Sequence, residues 1–91
     1  MAIFIVSYDL RAPGRNYESL YKALRSVSFA HPLESFWLVE HNGPASLIRD
    51  TLKGHLDKND GVAVIEFTEH ADWAVTGINK PSTDWIQSKR P

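Results

Sequence analysis

The apolar run IFIVSY at positions 3–8 constrains the fold of this chain more than any other stretch. Apart from one serine its residues are β-branched or aromatic, and polar residues do not alternate with apolar ones. Such a run is typical of a β-strand covered on both faces, which places it in the interior of a sheet. Asp9 ends the strand, and the turn sequence APGRN follows at positions 12–16.

A strand of this kind delivers the residues that follow it to a fixed point at the edge of the sheet. Here they are a carboxylate, Asp9, and two guanidinium groups, Arg11 and Arg15. We therefore place any chemical centre of the protein at the end of the first strand.

Length and composition limit the possible classes of protein. Ninety-one residues correspond to one domain, and an apolar fraction of 43% with three tryptophans is enough for a packed core. Chains this short are often stabilised further by oligomerisation. The absence of cysteine excludes disulfides, thiolate zinc sites and cysteine nucleophiles. A net charge of −1 argues against a strongly basic coat for nucleic acid, although a local basic patch remains open.

Membrane and export signals are not evident in the sequence. No stretch approaches the ~20 apolar residues of a membrane-spanning helix, and no charged segment precedes an apolar one as in a signal peptide. We therefore expect a cytoplasmic protein that has no membrane partner.

After the first strand, the pattern predicts a helix, two strands, a helix and a strand. Apolar residues at helical spacing predict a helix over residues 17–26. Residues 29–32 and 35–40 are predicted to form a hairpin, the former as its edge strand and the latter as its inner strand. Pro44 suits the first turn of a second helix that ends near Leu56. Asp57 and Asp60 then flank a polar turn before a last strand at residues 62–67.

This order of elements predicts an α+β protein with a ferredoxin-like βαββαβ sandwich, in which two helices lie on one face of an antiparallel sheet. Right-handed crossovers place the first strand and the inner hairpin strand in the middle. The core spans about residues 2–68. Residues 69–91 are predicted to be an irregular tail, broken at Lys80-Pro81, whose Trp73 and Trp85 are large enough to pin it. We expect this tail to dock on the body or on a partner chain, because the second sheet face needs a cover.

Three segments carry a family resemblance: VSYDL at 6–10, SFWL at 35–38 and LDKNDGVAV at 56–64. In this order and spacing, they make the chain resemble the small CRISPR-associated endonucleases that accompany the spacer integrase (Cas-two-like proteins) and the related VapD ribonucleases. The resemblance covers roughly residues 2–68. The tail after Phe67, with its two tryptophans, differs from the family's usual short final strand.

The resemblance implies a ferredoxin-like fold and a homodimer that hydrolyses nucleic acid. The family's aspartate at the end of strand one faces its copy across the twofold axis and binds a divalent metal. Here that aspartate is Asp9, which would be both the catalytic residue and the ligand of Mg²⁺ or Mn²⁺. Arg11 and Arg15 lie in the family's basic turn, and Ser35 lies in its Ser-x-aromatic segment, so these three residues would bind substrate.

The same chemistry can be argued from the residues themselves. Magnesium sites use one or two carboxylates with waters and a substrate phosphate, and a twofold axis would double the single Asp9. Two carboxylates ~6 Å apart repel by roughly 3 kcal/mol at an effective dielectric constant of about 20, and a divalent cation between them reverses the sign. Arg11 and Arg15 are suited to bidentate contacts with phosphate.

Other interpretations of these residues remain open. An aspartate before Pro-Gly is typical of a turn, and Arg11 and Arg15 can be solvated turn residues. Ser35 can satisfy a backbone group, and Trp37 is expected in the core or in a dimer interface. The four histidines, at positions 31, 41, 55 and 70, lack the spacing of a zinc site.

Three functions from different classes are therefore compatible with the sequence. The first is a metal-dependent endonuclease acting on RNA or DNA. The second is a non-catalytic dimeric adaptor or nucleic-acid-binding protein, with a protein partner possible. The third is a small-molecule-sensing module, for which no ligand motif is found.

Overall fold

The structure, a computed structural model, describes residues 2–90. Within this range the fold is a small α+β arrangement of a four-stranded antiparallel sheet and three helices. The elements in chain order are β1 (Ala2–Asp9), α1 (Glu18–Leu24), β2 (Phe29–Leu33), β3 (Phe36–His41), α2 (Ala45–Lys53), β4 (Gly61–Glu66) and α3 (Lys80–Lys89).

The strands lie in the order β2-β3-β1-β4, and each neighbouring pair is antiparallel. The prediction that the first strand and the inner hairpin strand are central is confirmed. The register pairs Ala2 with His41 of β3 at one end of β1 and Asp9 with Gly61 of β4 at the other. Asp9 therefore lies at the end of the sheet where β4 begins.

β1 is buried on both faces, as its apolar run predicts. Phe4, Val6 and Tyr8 point to one face, which we call the helix face because α1 and α2 pack on it. Ile3 and Ile5 point to the opposite face, which we call the tail face because residues of the C-terminal segment pack there. Burial of a side chain of this size contributes about 1.5–3 kcal/mol, so β1 anchors both layers of the core.

The helix face holds the larger part of the core. Leu20 and Leu24 of α1 and Ile48 and Leu52 of α2 pack against the sheet. Trp37 of β3 is 1% exposed, which confirms it as a core residue.

The helices are shorter than predicted. α2 ends at Lys53 because the chain tightens into a turn, in which the amides of the next residues bond carbonyls three positions back.

The prediction of an irregular C-terminal tail is wrong, because residues 80–89 form α3. Asn79 caps this helix, its Oδ1 accepting a hydrogen bond of 2.9 Å from the Ser82 amide. Pro81 lies in the first turn, where a missing amide hydrogen costs no intrahelical bond. The Lys80-Pro81 pair therefore begins a helix, whereas the sequence pattern had suggested a break.

The C-terminal segment contacts the tail face of the sheet. Ile86 of α3 is buried there in one cluster with Ile3, Leu38 and Phe67. Trp73 Nε1 donates a hydrogen bond of 2.8 Å to the Arg90 carbonyl. The Trp73 bond joins the two ends of the segment to each other, and a hydrogen bond of 3.2 Å from Arg90 Nε to the Phe67 carbonyl ties the segment to the body. No helix in the described part of the chain has the length and apolar character that crossing a membrane requires.

Candidate functional site

Asp9 is accessible at the end of β1, with 70% of its side chain exposed. Its Oδ2 accepts a hydrogen bond of 2.9 Å from Arg11 Nε, and the Arg11 side chain is also largely exposed. Exposed ion pairs of this kind contribute about 0–1 kcal/mol. Arg11 therefore neutralises Asp9 in the single chain, but it does so weakly enough to exchange for another partner.

The turn before β4 holds Arg11 in place. The Arg11 amide donates to Asp60 Oδ1 at 2.6 Å, and its Nη1 donates to the Asn59 carbonyl at 3.1 Å. A Cβ atom added to Gly61 would lie 3.3 Å from Arg11 Nη2, so the guanidinium lies directly against the backbone of this glycine. We call Asn59 and Asp60 of the turn, together with Gly61 at the start of β4, the Arg11 cradle.

Asp60 joins the cradle to the start of α1. Its Oδ2 accepts hydrogen bonds of 2.8 Å from Tyr17 Oη and from the Asp57 amide. Desolvation acts to raise the pKa of the Asp60 carboxyl, but the bonds from Arg11, Asp57 and Tyr17 outweigh it and leave this pKa below its ordinary value. The predicted turn at residues 57–60 is present. The hydrogen bond that Asp60 accepts from the Arg11 amide links this turn to the residues that follow β1.

Arg15 points toward the same turn and not toward Asp9. Its Nη1 lies 3.9 Å from Asp57 Oδ1, and its guanidinium lies 5.7 Å from the centre of the Tyr17 ring. Both arginines therefore lie beside the turn that precedes β4. Of the two, only Arg11 forms an ion pair with Asp9.

A surface depression of about 280 Å³ adjoins Asp9. Ser35 lines it together with Asp9, so the structure brings these two predicted site residues to one place. The Tyr8 amide donates to the Ser35 carbonyl at 3.2 Å, which fixes the hairpin turn against the end of β1. Glu34 also lines the depression, and sequence reasoning missed it. Its position next to Ser35 in the hairpin turn was the signal that could have identified it.

Tyr8 also lines the depression, and its hydroxyl connects β1 to the β2–β3 hairpin. Tyr8 Oη donates to the Glu34 carbonyl at 2.9 Å and accepts a hydrogen bond of 3.1 Å from Trp37 Nε1. Burial is the main reason that the pKa of Tyr8 lies above its ordinary value, so the hydroxyl stays protonated. Tyr8 therefore acts as a structural donor beneath Asp9.

Within residues 2–90, no cluster of three or more histidine, aspartate or glutamate side chains is placed to hold a metal ion. Asp9 offers one exposed carboxylate, which is a suitable oxygen ligand for Mg²⁺ or Mn²⁺.

Comparison with known proteins gives no match to this chain, either among protein-family models, among curated proteins or among solved structures.

Proposed function

We propose that the protein is a cytoplasmic, homodimeric, metal-dependent endonuclease that hydrolyses phosphodiester bonds in RNA or DNA, similar to the Cas-two-like and VapD proteins. The observation that carries this proposal is the position of Asp9, an exposed carboxylate at the end of a central strand with a guanidinium beside it. This is the pairing of groups that a metal ion and a phosphate need.

A ferredoxin-like fold is part of the proposal. The sheet order β2-β3-β1-β4 with antiparallel neighbours supports it, as does the packing of α1 and α2 on one face. α3 is then an addition to the βαββαβ unit that covers part of the opposite face.

The tail face supports pairing of two copies. Side chains alternate along a strand, so Ile5 and Ser7 share this face, and Asp9 follows them at the end of β1, where its side chain also lines the depression beside Ser35. α3 contacts β2 at the far edge of the sheet. Near β4, apolar surface stays open, with Ile65 58% and Val75 43% exposed. A second copy placed here about a twofold axis would cover this surface. For the two Asp9 carboxylates to share a metal, that axis would have to pass close to the end of β1 where β4 begins.

Asp9 of both protomers would hold the metal in this arrangement. When bound, such a metal polarises a phosphoryl oxygen and lowers the pKa of a coordinated water. Arg11 would exchange its exposed ion pair with Asp9 for a substrate phosphate, and it would also give up its hydrogen bond to the Asn59 carbonyl if the guanidinium moves out of the cradle. Arg15 would contact a neighbouring phosphate, and Ser35 would contact substrate in the depression beside Asp9.

The test is cleavage of single- and double-stranded RNA and DNA with Mg²⁺ or Mn²⁺. We expect Asp9→Asn to abolish metal-stimulated cleavage while the protein stays folded and dimeric. Asp84→Asn is the matched control, because Asp84 is also an exposed aspartate in an ion pair of 2.9 Å, with Lys80. Cleavage that survives both Asp9→Asn and chelation of the metal would refute the proposal.

A second candidate is a non-catalytic dimeric adaptor or nucleic-acid-binding protein, which can also have a protein partner. The bond of 2.9 Å between Arg11 and Asp9 favours it, because it occupies the carboxylate that a metal would need. This function predicts that the wild-type protein binds nucleic acid and never cleaves it, with or without a divalent metal. Metal-dependent turnover by the wild type would exclude the adaptor.

A further inference from the structure

The two edge strands of the sheet differ in how they are protected from pairing with another chain. β2 contains Pro32 and an irregular register between Ala30 and Leu33, and α3 packs against it. Proline, irregular register and a covering helix are features that prevent an edge strand from pairing further. β4, with the sequence GVAVIE, contains no proline or lysine and pairs with β1 in continuous register. Within residues 2–90 no strand lies on its outer side, so this edge is open.

The register shows which backbone groups of β4 face outward. The Phe67 amide donates to the carbonyl of Ile3, the residue opposite it, at 2.8 Å, so these two form a hydrogen-bonded pair. Along an antiparallel pair of strands, hydrogen-bonded and non-hydrogen-bonded positions alternate. Residues 61, 63 and 65 therefore bond β1, whereas Val62, Val64 and Glu66 direct their amides and carbonyls away from it. Each of these three residues offers one donor and one acceptor to an added strand.

A groove runs beside this edge on the helix face. Its volume is about 680 Å³, and Lys53 of α2, Lys58 of the turn and Val62 of β4 are among the residues that line it. Of the strands, β4 is the one that α2 approaches most closely, so α2 forms the wall of the groove above the edge. A strand added to β4 would therefore place half of its side chains against the basic residues of this wall.

The charges in the groove are not balanced. Its carboxylates already have partners in the chain: Asp50 pairs with Arg49, Asp57 lies near Arg15, and Asp60 accepts hydrogen bonds from Arg11 and Tyr17. Among residues 2–90, neither Lys53 nor Lys58 belongs to an ion pair. The groove therefore favours an occupant that carries negative charge.

The position of α2 argues against a second copy at this edge. Two β4 strands paired about a twofold axis would bring both α2 helices to the same face of the sheet, and paired strands are only about 4.7–4.9 Å apart. Packed helices need about 8–10 Å between their axes. Because α2 lies beside β4 itself, the two helices would crowd each other, whereas a single extended segment brings no helix with it.

We propose that the edge of β4 binds an extended acidic segment of a partner protein, which joins the sheet as an antiparallel strand. Residues opposite each other on antiparallel strands point to the same face. The acidic residues of the segment therefore lie opposite Val62 and Val64, on the side of Lys53 and Lys58. The residues between them are apolar and lie beside Ala63 and Ile65 on the tail face, where Ile65 is 58% exposed. This binding surface is independent of metal binding by Asp9 and goes beyond the proposed nuclease.

The register gives the sequence of a probe peptide, acetyl-TVEVEV-amide, whose threonine lies opposite Glu66 and whose glutamates lie opposite Val64 and Val62. The test is titration of the isotopically labelled full chain with this peptide, followed by the backbone amide signals in NMR spectra. We expect saturable shifts at these three residues and slower hydrogen exchange of their amides. Absence of saturation would overturn the proposal. The same amides protected without peptide, to a degree that rises with protein concentration, would show that a second copy occupies the edge and would also overturn it.

Two N-methylated isomers of the peptide test backbone pairing without changing the side chains. The amides of the two glutamates bond β4 in the proposed register, whereas the amides of the first two valines point away from it. Methylation of both glutamate amides should abolish saturable binding, and methylation of the two valine amides should change the affinity by less than about threefold. Equal affinities of the two isomers would refute pairing in this register.

The preference for negative charge is tested by Lys53→Glu and Lys58→Glu. Each variant should weaken binding of the acidic peptide about 3- to 10-fold and strengthen binding of acetyl-TVKVKV-amide, because an exposed charge pair is replaced by repulsion. Lys22→Glu is the matched control, since Lys22 is an exposed lysine of α1 that does not line the groove. Equal effects of Lys53→Glu and Lys22→Glu on the acidic peptide would exclude this groove as the source of the preference.

Discussion

Replacing Ile86 with alanine tests whether α3 is an integral part of the fold. Ile86 is 3% exposed and belongs to the core cluster on the tail face. The change removes three buried carbons, which at about 0.8 kcal/mol each gives roughly 2.4 kcal/mol. Incomplete closure of the space left behind adds to this, and alanine's higher helix propensity subtracts a few tenths. We expect the free energy of unfolding to fall by about 3 kcal/mol.

The measurement is thermal unfolding followed by far-ultraviolet circular dichroism. For a domain of this size, about 1 kcal/mol corresponds to roughly 4–8 °C in Tm, so Ile86→Ala should lower Tm by roughly 12–24 °C. Gln87→Ala changes the exposed neighbour on the same helix and should alter the free energy of unfolding by less than about 0.5 kcal/mol. If the two variants unfold at the same temperature, Ile86 does not hold α3 on the sheet and our account of the tail face fails.

Three further predictions concern Trp73, Asp60 and the two arginines near Asp9. Trp73→Phe removes the hydrogen bond to the Arg90 carbonyl and should lower the free energy of unfolding in urea by about 1 kcal/mol; no change would mean that this bond is not formed. Because the pKa of Asp60 lies below its ordinary value of 3.8, its stabilisation is present above that pH and is lost as the pH falls below it, so the stability difference between wild type and Asp60→Asn should shrink in acid and not at neutral pH. If the protein binds nucleic acid through Arg11 and Arg15, replacing both by alanine should reduce the slope of log affinity against log salt by about 1.4–1.8, and an unchanged slope would exclude this surface.

The sequence was most informative where one physical requirement dominates. The apolar run of β1, which only Ser7 interrupts, predicted burial on both faces and hence a central strand, and both are observed. Trp37 was similarly predictable as core, because a ring of this size in a strand rarely stays in water. Such predictions succeed when several large apolar side chains follow one another, because removing all of them from water requires a cover on both faces of the strand. A single apolar residue such as Ile65, which is 58% exposed, carries less information.

α3 was not predicted because its signals are few. Trp85 and Ile86 are the large apolar residues among its ten, so helical spacing could not be read from them. The cap at Asn79 and the proline of the first turn are start signals of a helix, but the same residues are equally typical of a turn. Contact with the tail face, supplied by distant residues such as Ile3, resolved the ambiguity in favour of a helix.

The sequence predicted which residues belong to the candidate site, but it did not predict how their side chains are arranged. Asp9, Arg11 and Ser35 lie near one another, but the ion pair of Asp9 with Arg11 was not foreseen. The Arg11 amide donates a hydrogen bond to Asp60, 49 positions away, and no local pattern encodes a contact at that separation. Sequence reasoning therefore identified the groups, while tertiary contacts determine which of them meet.

The placement of the three tryptophans makes the two layers of the core optically distinguishable. Trp37 stacks on His31 at 3.7 Å within the helix face, whereas Trp73 and Trp85 belong to the tail face. The fluorescence of a chain that retains Trp37 alone would report on the layer under α1 and α2, and that of a chain that retains Trp85 alone would report on the seat of α3. Comparing their emission during denaturation would reveal whether α3 peels away before the remainder of the molecule or melts together with it.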